Sequence, residues 1–376
     1  MEWIERYYEK TLLNSLKPGK VLALYGPRRA GKTSLVQRCI AKYEGKIYSG
    51  TGDDRILRDI LTSQNLSRII MAFKGYDLLF IDEAQRIDEV GYGLKLITDH
   101  LPDLAILATG SSSFNLASRI GEPLTGRQIT LLIYPIAVLE LAAQYGGMDV
   151  LNRLEEFLIF GTYPETLIAQ NFKEKSDFLI AIRDAYLMKD ILELENLRNA
   201  SKLNDLLKLV AFQIGKQFSL NELSSNLGIA KQTVERYLDL LEKAFVIKKV
   251  TGFSRNLRKE IQKTARYYFF DNGIRNAVIN NFNDLTTRND IGQLWENFLF
   301  IERLKRQHYK QIHTNNYFWR TYDRKEIDLV EERGGQLYGY EFKWTGKKKV
   351  PRLWLETYDN ASFETISRDN FLEFIT

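Results

Sequence analysis

Apolar positions along this chain follow two rhythms. Short unbroken runs, Val21-Leu22-Ala23-Leu24-Tyr25, Leu78-Leu79-Phe80-Ile81 and Leu104-Ala105-Ile106-Leu107-Ala108-Thr109, are bounded by polar turns and predict strands buried on both faces of a parallel sheet. The first is followed by a helix start at Ser34-Leu35-Val36-Gln37. Beyond Tyr145-Gly146-Gly147 the spacing becomes helical over 150–160, breaks at Gly161-Thr162-Tyr163-Pro164, and resumes over 176–214 with Phe178, Ile182, Leu187, Ile191 and Leu194 on one face. Residues 218–229 read as an N-capped short helix ending in a glycine turn, and 230–241 as a second helix with Val234, Leu238 and Leu241 inward. Two strands follow, 245–250 and 265–270, then a helix at 293–300, two strands around a turn over 319–330, and a strand at 337–344. This alternation predicts an α/β protein whose segments divide near residues 146, 200 and 275.

Chemistry enters at the end of the first strand. Gly26-Pro27-Arg28-Arg29-Ala30-Gly31-Lys32-Thr33 has the spacing G-x-x-x-x-G-K-[ST] of a phosphate-binding loop, placed between a strand and a helix. Glycines let backbone N–H groups turn toward phosphate oxygens, Lys32 reaches the outer phosphates, and the Thr33 hydroxyl can ligate Mg²⁺. Ser34 opens the helix whose positive end faces the same anion. The strand at 78–81 ends in Asp82-Glu83, where Asp82 would hold Mg²⁺ through water and Glu83 would polarise the attacking water. The strand at 104–109 ends in Gly110-Ser111-Ser112-Ser113, and Ser111 either senses the outermost phosphate or caps the next helix.

Loop, Asp82-Glu83 and a strand ending in Thr-Gly-Ser-Ser together resemble the AAA+ branch of the P-loop ATPases. Leu124-Thr125-Gly126-Arg127, then Leu131-Leu132-Ile133-Tyr134-Pro135 and Glu140, resemble the archaeal-type ATPases of that branch. The resemblance implies ATP and Mg²⁺ as cofactors, and Arg127 as an arginine finger with Arg119 as the alternative. A finger acting in trans would require a homo-oligomer. Read from its residues alone, Arg127 is equally a surface arginine in a loop.

Composition excludes several classes. The chain has 376 residues, 44% of them apolar, enough for two or three cores. Its apolar runs are too short to span a bilayer, and Met1-Glu2-Trp3-Ile4-Glu5-Arg6 is unlike a secretion signal, so the expected location is cytoplasmic with no membrane partner. One cysteine, Cys39, and three scattered histidines support neither a disulfide framework nor a zinc module.

Net charge is only +5, but residues 231–266 hold ten Lys and Arg against four acidic residues. Helix, turn, helix and two strands over 202–272 resemble a winged helix-turn-helix, which implies Lys231, Gln232 and Arg236 on a recognition helix and Arg255, Arg258, Lys259 and Lys263 on a wing that meets DNA phosphates. Such modules also bind protein partners, and that alternative stays open.

Near the C-terminus, Glu341 and Lys343 alternate on one strand face, Asp328 comes beside them if its strand is a neighbour, and Glu296 sits on a helix. Carboxylates and a lysine converging on a sheet suit a metal ion and an activated water. The set resembles the PD-(D/E)xK nuclease fold, with Ile327 where some members have proline. Active cleavage, an idle nuclease-like fold and a salt-bridged strand face all remain open. The expected organisation is an AAA+ ATPase domain (1–146), a helical lid beside the nucleotide (147–200), a winged helix (201–275) and a restriction-endonuclease-like domain (276–376). The expected function is a DNA-binding ATPase acting on branched or processed DNA. An ATP-gated nuclease and a nucleotide-switched protein scaffold are the alternatives.

Overall fold

The computed structural model describes residues 3–111, 124–184, 200–254, 265–321, 325–346 and 349–376. They form two compact units, one built on Glu5–Pro135 and the other on Ile136–Glu242 and Val246–Thr376. No helix among the described residues is long and apolar enough to cross a membrane.

The first unit holds five parallel strands, β1 (Val21–Tyr25), β2 (Ile47–Thr51), β3 (Leu78–Asp82), β4 (Ala105–Gly110) and β5 (Gln128–Leu132), in the order β2-β3-β4-β1-β5. The three central strands are the three apolar runs of the sequence, and β1 and β4 are buried along their whole length. Parallel pairing brings the ends of β1, β3 and β4 to one edge of the sheet, where ligands of such folds bind. The edge strands were harder to read. Ile47-Tyr48-Ser49-Gly50-Thr51 is half exposed and carries one aliphatic residue, so β2 has no apolar run to betray it.

The second unit opens with helices Val138–Tyr145, Gly147–Asn152, Leu154–Phe160, Pro164–Ile168 and Phe172–Ile182. Leu187, Ile191 and Leu194 lie outside the described residues. The expected break at 161–164 is real: Gly161 has φ +68°, and a Cβ there would come within 1.9 Å of Asp271 Oδ1. Pro164 starts the next helix at a position where no N–H is needed. Asp271 Oδ2 accepts from Thr162 N (2.8 Å), and Asn276 Nδ2 donates to Leu158 O and Ile159 O (3.1 and 2.8 Å), so the helices over 147–182 anchor to the helix Asn272–Val278 of the same unit.

Next come the helix Ala200–Phe212, β6 (Gln217–Phe218), the helices Leu220–Leu227 and Lys231–Lys243, β7 (Ile247–Gly252) and β8 (Ala265–Phe269). The first of the paired helices is capped by Ser219, whose hydroxyl accepts from Glu222 N, and ends at left-handed Gly228. After the helix Ile291–Tyr309 come β9 (Asn315–Arg320), β10 (Glu326–Arg333), β11 (Gln336–Phe342) and β12 (Ala361–Ile366). A single seven-stranded sheet runs through both halves in the order β12-β11-β10-β9-β7-β8-β6. The join is a short parallel pairing, Thr251 with Tyr317 and Gly252 with Phe318. The division expected at 275/276 therefore falls inside the buried helix Asn272–Val278, and the two segments share one sheet. Sequence periodicity finds strands but not which distant edges pair, which is why the division looked natural.

Candidate nucleotide site and a carboxylate cluster

The phosphate loop is shaped by its glycines. Gly26 has φ +150°, and a Cβ on it would lie 1.8 Å from Ile133 O; Gly31, at φ +86°, leads directly into the helix Lys32–Ile40. Pro27 and Ala30 are buried within the loop, Arg28 is half-buried, Arg29 is exposed in a left-handed conformation (φ 63°), and Ser34 is exposed in the first helical turn. Lys32 is 6% exposed and its Nζ donates to Gly26 O (3.0 Å) and Pro27 O (2.8 Å). Burial pushes its ammonium down to about 8 against the pull of Glu83 and Asp82. A buried ammonium disfavoured by desolvation gains from an arriving anion, which is the task the motif assigns to it.

Thr33 and Asp82 converge from two elements. Thr33 Oγ1 donates to Asp82 Oδ1 and Oδ2 (3.1 and 3.0 Å), and Thr109 Oγ1 donates to Asp82 Oδ1 from the end of β4. A hydroxyl beside a carboxylate, with only hydroxyl donors bonded to that carboxylate among the described residues, is a donor set that fits Mg²⁺ on a nucleotide. Glu83 follows in a left-handed conformation (φ 50°, ψ 43°), its N–H donating to Thr109 Oγ1 (3.2 Å). Gln85 Nε2 donates to Glu83 Oε2 and to Ser111 Oγ (3.0 Å). Ser111 thus connects to Glu83 through one amide; Ser112 and Ser113 lie outside the described residues.

The C-terminal carboxylates also converge, around a different partner. Glu296 sits on the helix Ile291–Tyr309, which Asn297 fastens to β8 by accepting from Phe269 N and donating to Phe269 O (2.7 and 3.0 Å). Arg266, on β8, lies 3.3 Å from Glu296 Oε1, 3.3 Å from Asp328 Oδ1 and 2.9 Å from Glu326 Oε2. Its guanidinium covers the Phe318 ring at 4.7 Å. Tyr268 donates to Glu296 Oε1 (2.7 Å), and Asp328 Oδ2 accepts from Phe342 N (2.9 Å). Glu341 is buried and pairs with Lys343 at 2.9 Å. Burial, with Asp328 adding to it, pushes Glu296 up to about 8 despite the opposing pull of Arg266. Arg266, Glu296, Asp328 and Lys343 all line a cleft of about 650 Å³.

On the helix Lys231–Lys243, Val234, Leu238 and Leu241 are buried as expected, while Lys231, Gln232 and Arg236 are exposed. They border a groove of about 880 Å³ that Glu235, Asp239 and Glu242 also line, so its charge is mixed. Arg255, Arg258, Lys259 and Lys263 lie outside the described residues. The basic stretch is weaker than its count: Lys248 pairs with Glu242 at 2.7 Å, and Arg266 is 3% exposed within the carboxylate cluster.

Residues 18–142 match the family described as AAA domain. That segment, a third of the chain, is similar to AAA domains. Residues 151–285 match a domain of unknown function (DUF8612), and 291–365 another (DUF4143). An uncharacterized protein of Mycobacterium tuberculosis is 27% identical over 346 residues, covering 91% of this chain and 74% of that one. An uncharacterized protein of Methanocaldococcus jannaschii is 25% identical over 392 residues, covering 94% and 86%. Among solved structures, a RuvB variant from Thermotoga maritima aligns at 18% identity over 64% of this chain and 85% of that one, with a TM-score of 0.33.

Within the segment that matches this family, one expected residue is displaced. Arg127 precedes β5, and its carbonyl accepts from Val21 N at the start of β1, the end of the sheet away from the phosphate loop. A five-residue strand at 3.3 Å per step puts about 13 Å between those ends. Its guanidinium pairs with Asp99 and approaches Thr98 Oγ1 (3.3 Å). Arg127 is therefore not a finger on its own chain's phosphate, because parallel strands separate the residue before a strand from the loop after its neighbour. Two residues gain roles that spacing did not suggest. Arg6 is buried and donates to Ala30 O and Tyr134 O (both 2.7 Å), bracing the loop against the chain that follows β5. Thr109 joins Asp82 to the Glu83 backbone, and its place at the tip of β4, level with β3, was the available signal.

Proposed function

We propose that the AAA domain binds ATP with Mg²⁺ and hydrolyses it, with Glu83 orienting the attacking water. The observation that carries this reading is the convergence of the buried Lys32, the Thr33 hydroxyl and Asp82, with Glu83 the next residue along the chain. Mg²⁺, when bound, neutralises phosphate charge, and Thr33 and Asp82 are the residues that would hold it. Lys32 attracts and fixes the outer phosphates, and the loop N–H groups orient them. Glu83 accepts hydrogen bonding from the water, and its link through Gln85 to Ser111 holds the carboxylate on the side of the β4 tip. Adenine is preferred over guanine on the strength of the AAA match alone.

DNA is the partner we propose for the second unit. In support, a capped helix, a Gly228 turn, a second helix and two antiparallel strands follow in winged-helix order, with Lys231, Gln232 and Arg236 exposed at the start of the second helix. Phosphate release by wild type, Lys32→Ala and Glu83→Gln, with no DNA, duplex, a fork or a four-way junction, tests both readings. Glu83→Gln is expected to lower kcat by about 10²–10⁴-fold while keeping nucleotide binding, and Lys32→Ala to lose binding. An unchanged kcat in Glu83→Gln removes the hydrolytic assignment. Basal hydrolysis that no DNA form accelerates removes DNA and turns the search to a protein partner.

A further inference from the structure

The residues that resemble a nuclease metal site already contain a cation. The geometry points to Arg266 as the permanent occupant of the position between Glu296 and Asp328, making this cluster a metal-free, arginine-neutralised site that does not support metal-dependent strand cleavage. This inference is independent of the nucleotide site.

A divalent ion needs several oxygens converging on one point at about 2.0–2.6 Å. Here the point between Glu296 Oε1 and Asp328 Oδ1 is held by Arg266 Nη1, 3.3 Å from each, while Nη2 takes Glu326 Oε2 at 2.9 Å. Several of the remaining oxygens are already engaged by donors. Asp328 Oδ2 is engaged by Phe342 N, Glu296 Oε1 also accepts from Tyr268, and Glu341 Oε1 pairs with Lys343. Among the described residues, no group of three or more His, Cys, Asp or Glu side chains is arranged to hold a metal. An arginine cannot shed its proton to make room, and its fork bridges carboxylates on the helix Ile291–Tyr309 and β10. With its side chain 4% exposed and Phe318 stacked beneath it, it has no solvated position to retreat to without breaking three ion pairs.

Mn²⁺ titrated into the full nucleotide-free chain carrying Asp82→Ala, with free ion read by electron paramagnetic resonance, tests this. The expected result is that adding Asp328→Asn changes Mn²⁺ binding not at all, and that neither protein cuts DNA with Mn²⁺. Arg266→Gln is expected to create a site that binds Mn²⁺ about tenfold or more tighter, abolished again by Asp328→Asn. One Mn²⁺ bound by the Asp82→Ala protein and lost with Asp328→Asn overturns the inference. That comparison decides the matter even if Arg266→Gln fails to fold.

Discussion

Two sets of carboxylates in this molecule differ in the company they keep. Asp82 is hydrogen-bonded by the hydroxyls of Thr33 and Thr109, neutral donors, and among the described residues it forms no direct ion pair. Glu296, Asp328 and Glu326 are held by a guanidinium, and Glu341 by an ammonium. Both sets sit at the ends of strands or beside them, and Asp82, Glu296, Asp328 and Glu341 all read in sequence as metal ligands. The distinction is whether neutral donors leave a charge for an incoming cation or a resident cation has answered it. A carboxylate motif alone does not carry that information; its hydrogen-bond donors do.

The largest consequence of this contrast concerns stability. Arg266→Ala leaves the buried Asp328 and the partly buried Glu296 and Glu326 facing one another and is expected to cost about 3–5 kcal/mol, whereas Asp82→Asn keeps an acceptor for the two hydroxyls and is expected to cost about 1 kcal/mol or less. Urea unfolding of both variants checks the pair, and equal costs would dissolve the distinction.

A smaller effect follows from Glu296, whose carboxyl is pushed up to about 8 by burial and by Asp328, with Glu326 also facing it and Arg266 and Tyr268 opposing. The folded state holds this proton more tightly than the unfolded chain, so the contribution of Glu296 to stability falls as pH rises from about 4.5 toward 8 and is level above that. Glu296→Gln should flatten that part of the profile. A difference between the two proteins that is constant from pH 5 to 8 would show that Glu296 does not titrate there.

The smallest expected change belongs to Arg127. Its pair with Asp99 is largely solvent-exposed, so Arg127→Ala should alter stability by less than about 1 kcal/mol and leave kcat of the isolated chain within about twofold. A collapse of hydrolysis that depends on protein concentration would instead place this arginine in a neighbouring copy's site.

The parts legible in sequence were those fixed by neighbours along the chain. The phosphate loop, the apolar strands and the Ser219 and Gly228 punctuation each depend on a few consecutive residues, and they lie where the pattern put them. Arg6 and Arg266 were not legible, because their partners lie 24, 30 or more positions away and nothing in local spacing links them. Arg266 was also hidden by composition. It looked like one more positive charge on a basic stretch, and only the pairing of β8 with its neighbours, beneath the helix Ile291–Tyr309, turns it inward. The missed β2 and the unforeseen sheet shared across residue 275 have that cause in common, since sheet edges are chosen by partners rather than by the strand itself.

The two-rung seam between β7 and β9 also determines how the molecule can be dissected. Because Arg266 travels on β8 and its carboxylates on the helix and strands that follow, a fragment beginning after residue 275 would retain Glu296, Glu326 and Asp328 without their counter-charge. Such a fragment would expose its former interior to water and offer adventitious cations a carboxylate cluster that Arg266 neutralises in the intact chain.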